Sequence, residues 1–181
     1  MKRFDSGKEQ DKLLNRIERQ GKKEVFQRDR FFKYKLPEIQ NSLSQSLLTE
    51  KVIETDHPTS VSDLLLKGLK QALRANEFEF KYFIAPIRNL LPNPNLISLY
   101  LTQYILEVII KDPSVSEVYG TDSDIYKVVN DVMNRVNLKF ERAEKEITEQ
   151  LARNKNLTPG SRDYDIALDQ LFRKKMGEPQ P

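Results

Sequence analysis

Thr121-Asp122-Ser123-Asp124-Ile125-Tyr126-Lys127-Val128-Val129-Asn130-Asp131-Val132-Met133-Asn134-Arg135-Val136 is the stretch on which the fold turns. Thr121 and Asp124 have the spacing of a capping box, in which each side chain satisfies a free backbone N–H of the other at a helix start. Ile125, Val128, Val129, Val132, Met133 and Val136 then recur at helical intervals and make one apolar stripe. The residues between them are polar or charged, as on a surface helix that buries one face.

The same grammar extends in both directions. Upstream, Leu96 to Ile110 is the most apolar run, interrupted by Ser98, Thr102, Gln103 and Glu107. It is too short and too polar to span a bilayer, which takes about 20 apolar residues, and reads as a buried core helix ending at Asp112-Pro113. Leu91-Pro92-Asn93-Pro94-Asn95 is the strongest break in the chain. Before it, Phe78 to Leu91 is aromatic-rich and interrupted by Pro86. Ser60 and Asp63 have capping-box spacing and open a helix with Val61, Leu64, Leu65, Leu69, Ala72 and Leu73 on its face, Asn76 marking the exit. Pro37 suits the first turn of a helix that carries Ile39, Leu43, Leu47 and Leu48 and ends near Lys51. Downstream, Asn137 marks a boundary, and a charged helix follows over 138–155. Thr158-Pro159-Gly160-Ser161 breaks it, and a last helix covers about 162–175. The expected fold is an all-α bundle of about six to seven helices.

The two halves resemble each other. Ile39, Leu43, Leu47, Leu48 and Val52 shift by 58 positions onto Ile97, Leu101, Ile105, Leu106 and Ile110. After a three-residue insertion, a shift of 61 carries Ser60, Asp63 and Asn76 onto Thr121, Asp124 and Asn137. Residues 36–90 and 95–155 thus read as two divergent copies of a helical hairpin, neither rich enough in apolar surface to stand alone. The organisation that follows is a charged N-terminal arm over 1–30, mobile or helical, a first repeat over 31–91, and a second over 95–177 with a closing C-terminal helix.

Composition excludes whole classes of chemistry. The 181 residues contain no cysteine, so disulfides, thiolate nucleophiles and zinc–thiolate sites are absent and a reducing cytoplasm is expected. His57 is the only histidine and stands in a polar turn, without the partners of a catalytic triad. Asp122 and Asp124 open like a calcium loop, but its glycine and closing glutamate are missing; they suit a helix N-terminus instead. Glu141, Glu144, Glu146 and Glu149 alternate with Lys139, Arg142, Lys145 and Arg153 in the manner of a solvated face. With six glycines in all, no phosphate-cradling loop is present. No catalytic residue, cofactor or metal is expected, and no membrane span.

What remains is binding. Residues 1–30 hold ten Lys/Arg against six Asp/Glu, while the rest of the chain is nearly neutral. Within the arm Leu13, Leu14 and Ile17 lie at helical spacing. Phe31, Phe32, Tyr34, Phe78, Phe80, Tyr82 and Phe83 form an aromatic cluster that serves as core or as an interaction surface. A protein partner or a second copy is the first expectation, giving a helical interaction or scaffolding protein. The alternative is association with nucleic acid through the basic arm and Phe31-Phe32-Lys33-Tyr34-Lys35, rings stacking on bases and cations meeting phosphates.

Leu151-Ala152-Arg153-Asn154, then Leu157-Thr158-Pro159-Gly160-Ser161-Arg162-Asp163-Tyr164-Asp165, and finally Phe172-Arg173-Lys174-Lys175 resemble the end of the bacterial domain of unknown function 507 family. Tyr164 stands where that family has tryptophan, and one residue is missing between the proline and the glycine. The resemblance covers about residues 95–177, with a weaker echo in 31–90. It implies a bacterial, cytoplasmic, helical protein and carries over no activity or catalytic residue. In plain structural terms, Pro159 stops one helix, Gly160 supplies an unusual backbone angle and Ser161 caps the next.

Overall fold

A computed structural model describes residues 6–74 and 94–179. Among these the chain runs α1 (Ser6–Thr49), β1 (Ile53–Glu54), α2 (Pro58–Arg74), α3 (Leu96–Lys111), β2 (Glu117–Val118), α4 (Asp122–Ala152) and α5 (Arg162–Met176). The fold is all-α, with one two-residue antiparallel ladder pairing Ile53 with Val118 and Glu54 with Glu117. None of the described helices is long and apolar enough to cross a membrane. The expected aromatic-rich segment over 78–91, its Pro86 break and the Asn76 exit lie outside the described residues.

Two helices are longer than their sequence punctuation suggests. α1 is continuous over 44 residues, with Pro37 inside it and not at its first turn. Proline leaves the Lys33 carbonyl without its helical donor. Lys33 lies on the exposed side, while Leu36 and Ile39 on either side of the proline are buried. Packing overrides the local breaker. Asn137 likewise ends nothing: it lies mid-way along α4, its side-chain amide donating to Glu141 Oε1 one turn on, at 2.8 Å.

Helix ends follow local chemistry. α4 has the complete capping box: Asp124 N–H donates to Thr121 Oγ1, and Thr121 N–H donates to Asp124 Oδ2 at 2.8 Å. Ser161 caps α5 by accepting from Tyr164 N–H, with Gly160 at φ +84° before it. Asn95 caps α3 by accepting from Ser98 N–H. α2 departs from expectation. It starts at Pro58, so Ser60 and Asp63 already lie inside it, and the first bond runs from Val61 N–H to the His57 carbonyl. Here proline does occupy the first helical position. α1 closes with Val52 N–H on the Leu47 carbonyl and Lys51 N–H on that of Leu48, the paired bonds of a Schellman motif. Lys51 sits at φ 54°, the left-handed position usually given to glycine.

α1 packs on α2 and on α4, α3 packs on α2 and on α4, and α5 lies on α4. Each helix of one hairpin therefore touches a helix of the other, and the core is shared. Ile39, Leu43, Leu47, Leu65, Leu69, Leu99, Ile105 and Val129 are fully buried in it. Near the ladder, Tyr119 and Gly120 N–H both donate to the Val52 carbonyl. A Cβ on Gly120 would stand 2.5 Å from a Val52 methyl, so only glycine fits there.

Burial follows other offsets between the halves than the residue pattern does. A shift of 58 sets buried Val52 against Ile110, which is 67% exposed, and a shift of 61 sets buried Val61 against exposed Asp122. A shift of 62 instead carries Ile39, Leu43 and Leu47 onto buried Leu101, Ile105 and Ile109. A shift of 64 carries all six buried positions of α2 (Val61, Leu64, Leu65, Gly68, Leu69, Ala72) onto buried positions of α4. The same shift relates the starts of the two helices, Pro58 and Asp122.

Candidate functional site at the foot of the arm

The arm is the N-terminal part of α1. Lys12, Leu14, Asn15 and Arg16 in this segment are exposed, Leu14 by 59%. α1 and α4 run antiparallel, with Arg30 opposite Glu144 and Phe31 opposite Phe140. From these pairs α1 continues to Ser6 and α4 to Ala152, so at about 1.5 Å per residue α1 outruns α4 by roughly 20–24 Å.

Where the arm meets the bundle, aromatic rings lock α1, α4 and α5 together. Phe31 meets Phe32 and Phe140 edge-on at 5.1 and 5.3 Å. Phe172, 1% exposed, stacks with Tyr34 at 5.6 Å and with Phe140 at 5.8 Å. The Arg30 guanidinium lies 4.8 Å over the Phe172 ring and 3.7 Å from Glu144. Burial pulls the Arg30 pKa down, and the nearby Glu144 carboxylate works against that pull. Burial also pushes the Tyr34 phenol up, helped by Asp169, to which its hydroxyl donates.

The expected interaction surface is thus divided. Phe31, Phe32 and Tyr34 are buried, 6, 6 and 8% exposed, and their rings are engaged with each other and with α4 and α5. They are core at this junction, closed to a stacking nucleobase. Phe78, Phe80, Tyr82 and Phe83 lie outside the described residues.

Beside the junction is a crevice of about 230 Å³ between α1, α3 and α4. Phe31, Phe32, Ile97, Met133 and Phe140 supply its apolar wall. Asn95, Ser98, Asn134 and Asn137 supply amides and a hydroxyl, and Glu141 and Glu144 the charge. Ser98 is fully buried and its hydroxyl has no hydrogen-bond partner. Sequence reading passed over these polar residues because each looks like ordinary helix surface; only the packing of three helices brings them to one place. The faint signal was Ser98, a polar residue in the most apolar run. Elsewhere His57 is exposed in its turn, with Thr55 Oγ1 accepting from its backbone N–H. Among the described residues no group of three or more His, Asp or Glu could hold a metal ion.

Comparison with known proteins gives one finding. No curated protein and no solved structure matches the chain. The family of proteins of unknown function DUF507 matches residues 83–178, which takes in α3, α4, α5 and the Pro159-Gly160-Ser161 turn. That span is more than half of the 181 residues, and the chain belongs to the DUF507 family.

Proposed function

We propose that this protein acts by binding and not by catalysis: it is a helical interaction module that presents the N-terminal segment of α1 to a protein partner. The observation that carries this reading is Leu14, an apolar side chain 59% exposed in the N-terminal segment of α1 beside exposed Lys12, Asn15 and Arg16. Helical stability comes mostly from packing an apolar face, which a partner covering Leu14 would add. The nucleic-acid alternative loses its aromatic half, since Phe31, Phe32 and Tyr34 are buried.

The matching burial registers support a second element of the proposal. The two hairpins, α1 with α2 and α3 with α4, are copies of one unit, and the parts that each adds are the functional ones. The first adds the arm. The second adds the far half of α4 and all of α5. These additions meet at Arg30, Phe172 and Glu144.

Affinity capture from cells tests the module. Wild-type chain should retain a specific partner that Leu14→Glu loses, while both proteins give the same circular dichroism spectrum. Equal capture by the two would remove the arm from the contact.

A further inference from the structure

We propose that the crevice between α1, α3 and α4 binds a guanidinium group, presented by an arginine side chain of the protein partner. The inference rests on the interaction-module reading and names what a partner would place in this site.

Size comes first. About 230 Å³ is below the roughly 300–1,000 Å³ of pockets that enclose small-molecule ligands, and suits a single side chain. Charge comes second. Glu141 and Glu144 line the crevice, and among the described residues no lysine or arginine does. Arg30 engages Glu144 from the rim, which leaves Glu141 as the surplus negative charge. Glu141 Oε1 accepts from the Asn137 amide, and a carboxylate has a second oxygen with which to accept.

The third observation is Ser98. A buried serine in a helix ordinarily finds a carbonyl or a water, because unpaired buried polar groups are few in native proteins. Ser98 is fully buried, lines the crevice, and its hydroxyl has no partner. A donor entering the crevice would supply one.

Guanidinium fits better than ammonium. Its planar fork serves carboxylate and hydroxyl acceptors together. The crevice brings such acceptors together, Glu141 and Glu144 with Ser98. The edge of the site already displays the mode: Arg30 lies over Phe172 and against Glu144.

The test uses the full chain at low salt, with amide chemical shifts followed by NMR. The probes are ethylguanidinium, N-ethylurea as its neutral counterpart, acetyl-Gly-Arg-Gly-amide, and the same peptide with citrulline. The arginine peptide should bind saturably, shift Ser98, Asn134 and Asn137, and bind about tenfold more tightly than the citrulline peptide, the difference a charge-assisted hydrogen bond makes. Glu141→Gln, at an exposed position, should weaken it by about the same factor, and Ser98→Ala should weaken it with the spectrum otherwise unchanged. Equal or absent binding of the arginine and citrulline peptides overturns the proposal, as do shifts confined to other surfaces. Ethylguanidinium binding as tightly as the peptide, with N-ethylurea silent, would support the guanidinium site and overturn its assignment to a partner's arginine. If the peptides fail while Leu14→Glu still abolishes capture, the crevice inference falls and the module reading stands; if Leu14→Glu has no effect while the arginine peptide binds, the arm reading falls and the guanidinium site stands.

Discussion

Lys51 holds a backbone conformation, φ 54°, that costs an ordinary L-residue roughly 1–2 kcal/mol. The position is retained because the Schellman bonds from Lys51 and Val52 close α1 and deliver Val52 to the core. Glycine at 51 would remove the steric cost but give back part of the gain through the entropy of the unfolded chain. Lys51→Gly should therefore raise stability by about 0.5–1 kcal/mol in urea unfolding; a loss of stability would mean that the lysine side chain itself contributes. Glu38 is informative in another way. Partial burial pushes its carboxyl pKa up, but hydrogen bonds and charge from Lys35 and Lys139 outweigh that and hold it below the ordinary value of 4.5. Its Oε2 accepts from Lys35 at 2.8 Å and its Oε1 from Lys139 at 3.1 Å, which ties α1 to α4. A group with a depressed folded-state pKa stabilises fully above its unfolded value, and that stabilisation is lost as pH falls through the lowered one. Urea midpoints of the wild type should fall on acidification below about pH 4.5, and Glu38→Gln should flatten that limb while lowering the midpoint at neutral pH. Parallel acid limbs for the two proteins would show that the pair contributes nothing.

At the scale of elements, the two capping boxes read in the sequence separate cleanly. Thr121–Asp124 forms in full at the start of α4, whereas Ser60 and Asp63 fall inside an α2 that opens at Pro58. Thr121→Ala should cost about 1 kcal/mol, and Ser60→Ala, exposed within the first turn of α2, should cost almost nothing; thermal unfolding of the two variants decides it. Comparable losses would move the start of α2 back toward Ser60. The contrast also shows why some elements were legible and others were not. α3 and α5 stand between strong breaks, Asn95 and Asp112 for one, Ser161 and Gly177 for the other, and their bounds match the sequence reading within a residue. α1 and α4 were cut short because Pro37 and Asn137 are local signals, and the decision belongs to buried neighbours, Leu36 and Ile39 in one helix, Val136 and Phe140 in the other. The two-residue ladder was invisible, since no periodicity can be read from Ile53-Glu54 or Glu117-Val118 alone. Of the candidate site, the aromatics were visible and the crevice was not, because Ser98, Asn137 and Glu141 become neighbours only through helix packing.

On the scale of the whole molecule, the pairing of helices decides how the chain must fold. α1 contacts α4 and α2 contacts α3 as well as their own hairpin partners, so neither hairpin buries its stripe without the other. Ile39 and Leu43 of the first half, and Leu101 and Ile105 of the second, are all buried in one cluster, and the β1–β2 ladder ties the two interhelical turns to each other. Two autonomous repeats would lose their shared core stepwise, whereas an interlocked pair loses it at once. Thermal unfolding of the full chain should accordingly give one calorimetric transition, with van't Hoff and calorimetric enthalpies in agreement. The arm is the exception, because Lys12, Leu14, Asn15 and Arg16 stand exposed outside that core. Amide exchange in its first turns should be fast and independent of the global transition in the isolated protein, and should slow when the proposed partner is added. A second, separable transition would dissolve the interlocked core, and slow exchange of the arm in the isolated chain would show that it is already covered by contacts within one molecule.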